Sequence, residues 1–164
     1  MNIVLYEPEI PQNTGNIGRT CVATAASLHL IKPLGFDISE KAVKRAGMDY
    51  WQDIDLHIYE NYGDFLSRNR DIQLFAASTK SLNVYTDVCY DNDAYIMFGP
   101  ESRGIPEDIL IQLGKEQCIR IPMFEKYRSL NLSNSVAIIL YEALRQNGFR
   151  EMLMKGELHN RKWN

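Results

Sequence analysis

Tyr95-Ile96-Met97-Phe98-Gly99-Pro100-Glu101-Ser102-Arg103-Gly104 is a four-residue apolar run cut off by Gly-Pro and emptied into a polar loop with a second glycine. A continuous apolar run of this length, bounded by turn residues, reads as a strand buried on both faces. The loop after it reads either as a plain strand-to-helix turn or as backbone that glycine lets come close to a ligand. The pattern repeats outward. Upstream, Ile3–Tyr6 is closed by Glu7-Pro8 and Ile72–Ala77 runs into Ser78-Thr79-Lys80; downstream, Cys118–Ile121 stops at Pro122. Between these runs, Asn13–Leu30 has helical spacing at Ile17, Cys21, Ala25 and Leu28, with Asn13 or Thr14 available as a cap. Leu30-Ile31 reads as a strand, Ser39–Ala46 as a short basic helix, Ile54–Tyr59 as an alternating strand and Tyr62–Asn69 as a helix. Pro106–Leu113 is a helix with an early proline, and Ser133–Gln146 is the strongest helix, stopped by Gly148. This alternation predicts an α/β domain with a mostly parallel sheet. Ligands bind such sheets beyond the carboxyl ends of the strands, so Ala77–Lys80, Gly99–Gly104 and Ile121–Met123 are the candidate site loops.

The 164 residues, 45% hydrophobic and 24% charged, suit one packed domain and exclude a disordered tail or a fibrous rod. Lys and Arg number 18 against 21 Asp and Glu, for a net charge of −3, which speaks against a free-standing nucleic-acid binder. The distribution leaves a locally basic face open: Lys41, Lys44 and Arg45 cluster, and Arg145, Arg150, Lys155, Arg161 and Lys162 fall near the end. Cys21, Cys89 and Cys118 are far apart and odd in number, which suits small buried residues rather than disulfides or ligands. The apolar run before Glu7 is too short for a signal peptide, and Val136–Tyr141 is far below a membrane span, so a cytoplasmic protein without membrane contact is expected.

The dinucleotide pattern GxGxxG, the phosphate-loop pattern and GxSxG are all missing. His29, His57 and His159 are scattered, without a partner at metal-ligand spacing, and no metal site is expected. What stands out is polar. Asn13, Asn16 and Arg19 recur every three residues and are expected on one face of the first helix, either as a cap with a solvated face or as anion-holding groups. Five of the seven residues from Ser129 to Ser135 are Ser or Asn, more than a helix cap needs. The helix they open is apolar on nearly all sides through Leu144, which predicts cover from a second subunit and hence a homodimer.

Three segments in order, Asn13-Thr14-Gly15-Asn16-Ile17-Gly18-Arg19, Phe98–Gly104, and Ile121-Pro122-Met123 followed by Ser129–Asn134, resemble the SPOUT class of S-adenosylmethionine-dependent RNA methyltransferases. The opening Leu5-Tyr6-Glu7-Pro8-Glu9-Ile10-Pro11 is similar to its minimal TrmL subgroup, tRNA 2′-O-methyltransferases that act on the wobble nucleotide. The resemblance implies helices on both faces of the sheet and a deep C-terminal trefoil knot, an exception to the rule that chains do not thread loops. It implies one methyltransferase domain over residues 1–155 and a tail over 156–164, the latter either frayed or an RNA contact with Trp163 stacking on a base.

By position, the resemblance implies that S-adenosylmethionine touches Ala77, Gly99, Ile121, Ser129 and Leu130. Arg19 matches the arginine assigned to the ribose hydroxyl. A guanidinium stays protonated, so its expected role is to grip the adjacent phosphate and polarise the 2′ oxygen. Asn16, Glu101 and Tyr141 are expected to order that pocket or the ribose, although Tyr141 also reads as a core or interface residue. Transfer needs no metal, because a sulfonium is already a good leaving group and alignment is the main requirement. The implied substrate is the anticodon stem-loop of leucine tRNAs, methylated on the ribose of nucleotide 34, a cytidine or modified uridine. Ribosomal RNA as target, or a non-catalytic RNA-binding module, are the readings left beside it.

Overall fold

The computed structural model describes residues 1–39 and 49–163, and the expected basic helix over Ser39–Ala46, with Lys41, Lys44 and Arg45, lies outside the described residues from residue 40 on. Seven strands form one fully parallel sheet: β1 (Asn2–Tyr6), β2 (Ser27–Ile31), β3 (Leu56–Tyr59), β4 (Leu74–Ala77), β5 (Asn83–Val84), β6 (Tyr95–Phe98) and β7 (Cys118–Arg120). Their order is β3-β2-β1-β6-β4-β7-β5. The described helices are α1 (Pro11–Thr24), α2 (Tyr62–Arg68), α3 (Glu107–Leu113) and α4 (Leu132–Gln146).

Helices cover both faces, as expected. Ile17 and Cys21 of α1 pack with Val136, Ile139, Leu140 and Ala143 of α4 against one face, with Ile3, Leu28, Phe75 and Ile96. Phe65 of α2 and Ile109 of α3 cover the other, over Val4, Ile31, Ala76 and Met97. Each fully buried Ile, Leu or Phe contributes about 2 kcal/mol from removed apolar surface, so these two layers hold the sheet.

The boundaries show where local reading fell short. Helix α1 starts at Pro11, not Asn13: Ile10 holds the cap position without a side-chain bond, and proline at the first turn lacks the N–H that would need one. Neither Asn13 nor Thr14 is a cap; both are buried. The helix stops at Ala25, whose left-handed backbone (φ 52°) lets its N–H reach the Cys21 and Val22 carbonyls. Strand β2 therefore begins at Ser27, earlier than Leu30, the polar His29 in its middle having masked it. The two-residue edge strand β5 is too short to leave an apolar signature. Cys21 and Cys118 are buried but Cys89 is exposed, against expectation.

β7 enters the sheet between β4 and β5, which are consecutive in the chain, so residues 78–94 span a strand laid down after them. The end of α4 is tied to that span: Gln146 Nε2 donates to the Val88 carbonyl, Tyr90 N–H donates to Gln146 Oε1, and Asn147 Nδ2 donates to the Tyr90 carbonyl. This placement is consistent with the expected knot. Residues 153–163 are in neither helix nor strand and are exposed.

Candidate active site

The carboxyl ends of β4, β6 and β7 meet the first turns of α1 and α4 around a cavity of about 490 Å3. Ala77–Lys80 form one wall, Phe98–Ile105 a second, and Arg120, Ile121, Met123 and Arg128–Leu132 a third. These are the three loops that the strand ends predicted. A parallel sheet places its strand exits on one edge, and the strand order puts β6, β4 and β7 side by side there.

Gly99 is needed by contact, not by its dihedral angles. A Cβ there would lie 2.3 Å from both the Gly104 carbonyl carbon and the Ile105 nitrogen, and backbone cannot yield as a side chain can. Gly104 supplies the other requirement, a φ of +71°, where a side chain is strained. Together they fold the loop back on itself, with Gly104 N–H donating to the Pro100 carbonyl at 2.9 Å.

Side chains then lace the loops together. Glu101 accepts from the Glu9 and Ile10 N–H groups at 2.9 and 3.3 Å and from Asn13 Nδ2 at 2.8 Å. Asn131 Nδ2 donates to Asn13 Oδ1 at 3.0 Å, and Asn131 Oδ1 caps α4 by accepting from the Ser133 and Asn134 N–H groups. One polar chain, Glu101–Asn13–Asn131, therefore joins all three motif segments. In return Glu9 accepts from Ser102 N–H and Oγ, bonds that hold the Glu9 carboxyl below its ordinary range. Arg103 pairs with Glu7 and Lys80 with Glu107. Arg120 and Arg128, which also line the cavity, have no acidic partner among the described residues.

Of the residues expected at the cofactor, Ala77, Gly99, Ile121, Ser129 and Leu130 all line this cavity, and so does Glu101. Arg19, Asn16 and Tyr141 do not. Arg19 is exposed on α1, with its guanidinium 4.8 Å from the Tyr50 ring centroid, and Tyr50 is anchored by its hydroxyl to the Gly15 carbonyl. Tyr141 is 44% exposed on α4. The expected shared face of Asn13, Asn16 and Arg19 is corrected as well: Asn13 is buried, while the other two face out. Three residues turn a helix by about 300°, so each step slips back about 60°, and two steps carry Arg19 well round from Asn13. Glu9, Asn131, Arg120 and Arg128 were missed as site residues. Only Asn131 had a local signal, its position ahead of the α4 run.

The lining is mixed: Phe98, Ile105, Met123, Leu132 and Ile139 offer apolar surface, the three loops offer backbone groups, and Arg120 and Arg128 offer guanidinium ions that are unpaired among the described residues. A concave slot of this size and character suits a small ligand with both apolar and charged parts.

Comparison with known proteins agrees. The chain is 48% identical over 149 residues to the tRNA (cytidine(34)-2′-O)-methyltransferase of Escherichia coli (strain K12), covering 91% of this chain and 95% of the relative. A solved structure described as giving structural insights into the 2-OH methylation of C/U34 on tRNA superposes with a TM-score of 0.82 at 43% identity, over 91% of this chain and 97% of that one. An AdoMet-bound rRNA methyltransferase from Sinorhizobium meliloti matches at 27% identity with a TM-score of 0.74, over 88% of this chain but 55% of its own. The motif loops, the parallel sheet and a family match over residues 1–141 converge, and the chain belongs to the SpoU rRNA Methylase family.

Proposed function

We propose that this chain transfers a methyl group from S-adenosylmethionine to the ribose 2′ oxygen of wobble nucleotide 34, a cytidine or modified uridine, in leucine tRNAs, as a cytoplasmic homodimer. The observation that carries the reading is colinearity: the match to the wobble-nucleotide enzyme spans nearly the whole of both chains, whereas the rRNA enzyme shares only about half its length. The chain's own geometry adds a cavity whose walls are the three strand-end loops, two of which carry motif segments.

When bound, S-adenosylmethionine supplies a methyl group already activated by its sulfonium. Ala77, Gly99, Ile121, Ser129 and Leu130 hold and orient it, with the Glu101–Asn13–Asn131 chain fixing the loops that carry them. Arg19 grips the phosphate next to the target ribose and polarises the 2′ oxygen; a phosphate oxygen or water accepts the proton, since a guanidinium cannot. Arg19 does not line the cavity of its own chain, and in this reading it serves the site of a second copy. The exposed Ile138 and Tyr141 on the neighbouring α4 supply apolar surface for that contact, with Asn16 and Tyr141 ordering the arginine or the ribose. No helix among the described residues is long and apolar enough to cross a membrane.

The test is transfer of labelled methyl from S-adenosylmethionine to tRNA of a strain lacking this gene, followed by nucleoside mapping. Label on the wobble 2′ oxygen supports the reading; cofactor binding without label on tRNA rejects the substrate. Arg19→Lys keeps the charge and loses the planar fork, and should cost about 100-fold in turnover. Unchanged turnover in that variant removes Arg19 from the role.

A further inference from the structure

The loop between β7 and α4 contributes Ile121, Met123, Arg128, Ser129 and Leu130 to the cavity, and then carries two aromatic rings away from it. Phe124 is 84% exposed and Tyr127 60% exposed, and Tyr127 N–H donates to the Phe124 carbonyl at 3.0 Å, which turns the loop between them. Lys126 Nζ lies 5.1 Å from the Tyr127 ring centroid and occupies one face of it. Phe124 has no ring or cation partner among the described residues, so both of its faces are open. An open phenyl ring on a loop that carries Lys126 and Arg128 against Glu125, next to a cavity with two guanidinium ions unpaired among the described residues, is costly to leave in water and matches one chemistry well: an unstacked base on a phosphate backbone.

We propose that Phe124 is the stacking platform for a base of the anticodon loop adjoining the methylated ribose, holding that base out of its own stack while Arg128 and Lys126 meet the neighbouring phosphates. The inference rests on the reading of the cavity as a tRNA ribose methylation site. It makes Phe124 a positioning residue: it touches the substrate's base and no reacting atom, so its contribution falls on RNA binding and alignment, not on the cofactor.

The test uses the full chain and a synthetic anticodon stem-loop carrying 2-aminopurine as the 3′ neighbour of the wobble nucleotide, with methyl transfer and fluorescence read in one titration. Wild-type protein should raise the fluorescence, because the base leaves the neighbouring bases that quench it. Phe124→Leu, which keeps the bulk and loses the ring, should abolish the rise and increase KM for the RNA roughly 10-fold, with kcat and S-adenosylmethionine affinity about unchanged. Phe124→Tyr should restore the wild-type KM. Overturning results are an unchanged KM and a retained fluorescence rise in Phe124→Leu, failure of tyrosine to rescue KM, or a change in oligomeric state that shows Phe124 packing on a second copy. If the wild-type protein raises the fluorescence but transfers no methyl group, the methylation reading fails and only the stacking contact stands.

Discussion

Two polar chains, one of three residues and one of five, run through this molecule at different sides of the sheet. At the cavity, Glu101, Asn13 and Asn131 join three loops and leave carboxylates and guanidinium ions at an open edge. On the α2 side, Asn2, His29, Tyr59, Asn69 and Tyr95 form a second chain: His29 Nε2 lies 3.2 Å from Asn2 Oδ1, His29 Nδ1 2.9 Å from the Tyr59 hydroxyl, Asn69 Nδ2 donates to that hydroxyl, and the Tyr95 hydroxyl donates to Asn69 Oδ1. His29 is also stacked on His57 at 4.6 Å, a meeting set by the β2–β3 register and invisible in sequence spacing. The second chain is uncharged, with His29 and Tyr59 buried against Phe65; burial and the neighbouring His57 push the His29 pKa down to about 4. Neutral His29 fits its partners, accepting from Tyr59 and donating to Asn2, and a proton added at Nδ1 would meet a hydroxyl that is already donating there. The contrast teaches that hydrogen bonding alone does not mark a site: the open network borders a cavity and mixes charges, whereas the closed one satisfies itself.

The contrast breaks if variants in the two chains have the same phenotype. Glu101→Ala should have the largest effect: it strips the Glu9 and Ile10 N–H groups and Asn13 of a charged partner, costing roughly 4 kcal/mol and, with the loops unlaced, methyl transfer as well. Urea unfolding and a turnover assay check both, and loss of stability alone would place Glu101 with the closed network. Next comes acid. Unfolded His29 takes up a proton near pH 6.5 while the folded residue stays neutral to about 4, so the unfolded state binds more protons in that window. Stability should therefore fall as pH drops from 6.5 to 4, by roughly 3 kcal/mol from this group, and His29→Gln should flatten the slope without changing turnover at neutral pH.

Asn131→Ala removes the α4 cap and the Asn13 partner, a loss of about 2 kcal/mol, and should weaken S-adenosylmethionine binding measured by calorimetry, because Ser129 and Leu130 precede it directly. The smallest effect is expected for Asn69→Ala: about 1 kcal/mol in thermal unfolding and unaltered turnover. A fall in turnover with Asn69→Ala would mean that the closed network reaches the site.

Strand runs such as Tyr95–Phe98 were legible because a parallel strand buried on both faces needs unbroken apolar residues, and the Gly-Pro stops marked where those strands release loops. Of the cavity-lining residues, Ala77, Gly99, Glu101, Ile121, Ser129 and Leu130 were legible through the resemblance, since they sit at those strand ends or in those loops. Three features were not: the first part of strand β2 was hidden by His29, β5 by its length, and the pairing of Glu9 with Ser102 by a separation along the chain that no local pattern spans. The placement of Arg19 was misjudged for a simple reason, that a repeat of three does not keep to one helix face.

By itself, then, the sequence determined the element types, the parallel sheet and the loops that would meet, because burial periodicity and turn chemistry are local properties. Only the tertiary structure decided which polar groups became partners, which of two asparagine-rich networks borders a cavity, and that Arg19 does not line it. Those outcomes depend on strand order and register, which bring residues about 90 or more positions apart within hydrogen-bond distance and are not written in any short segment.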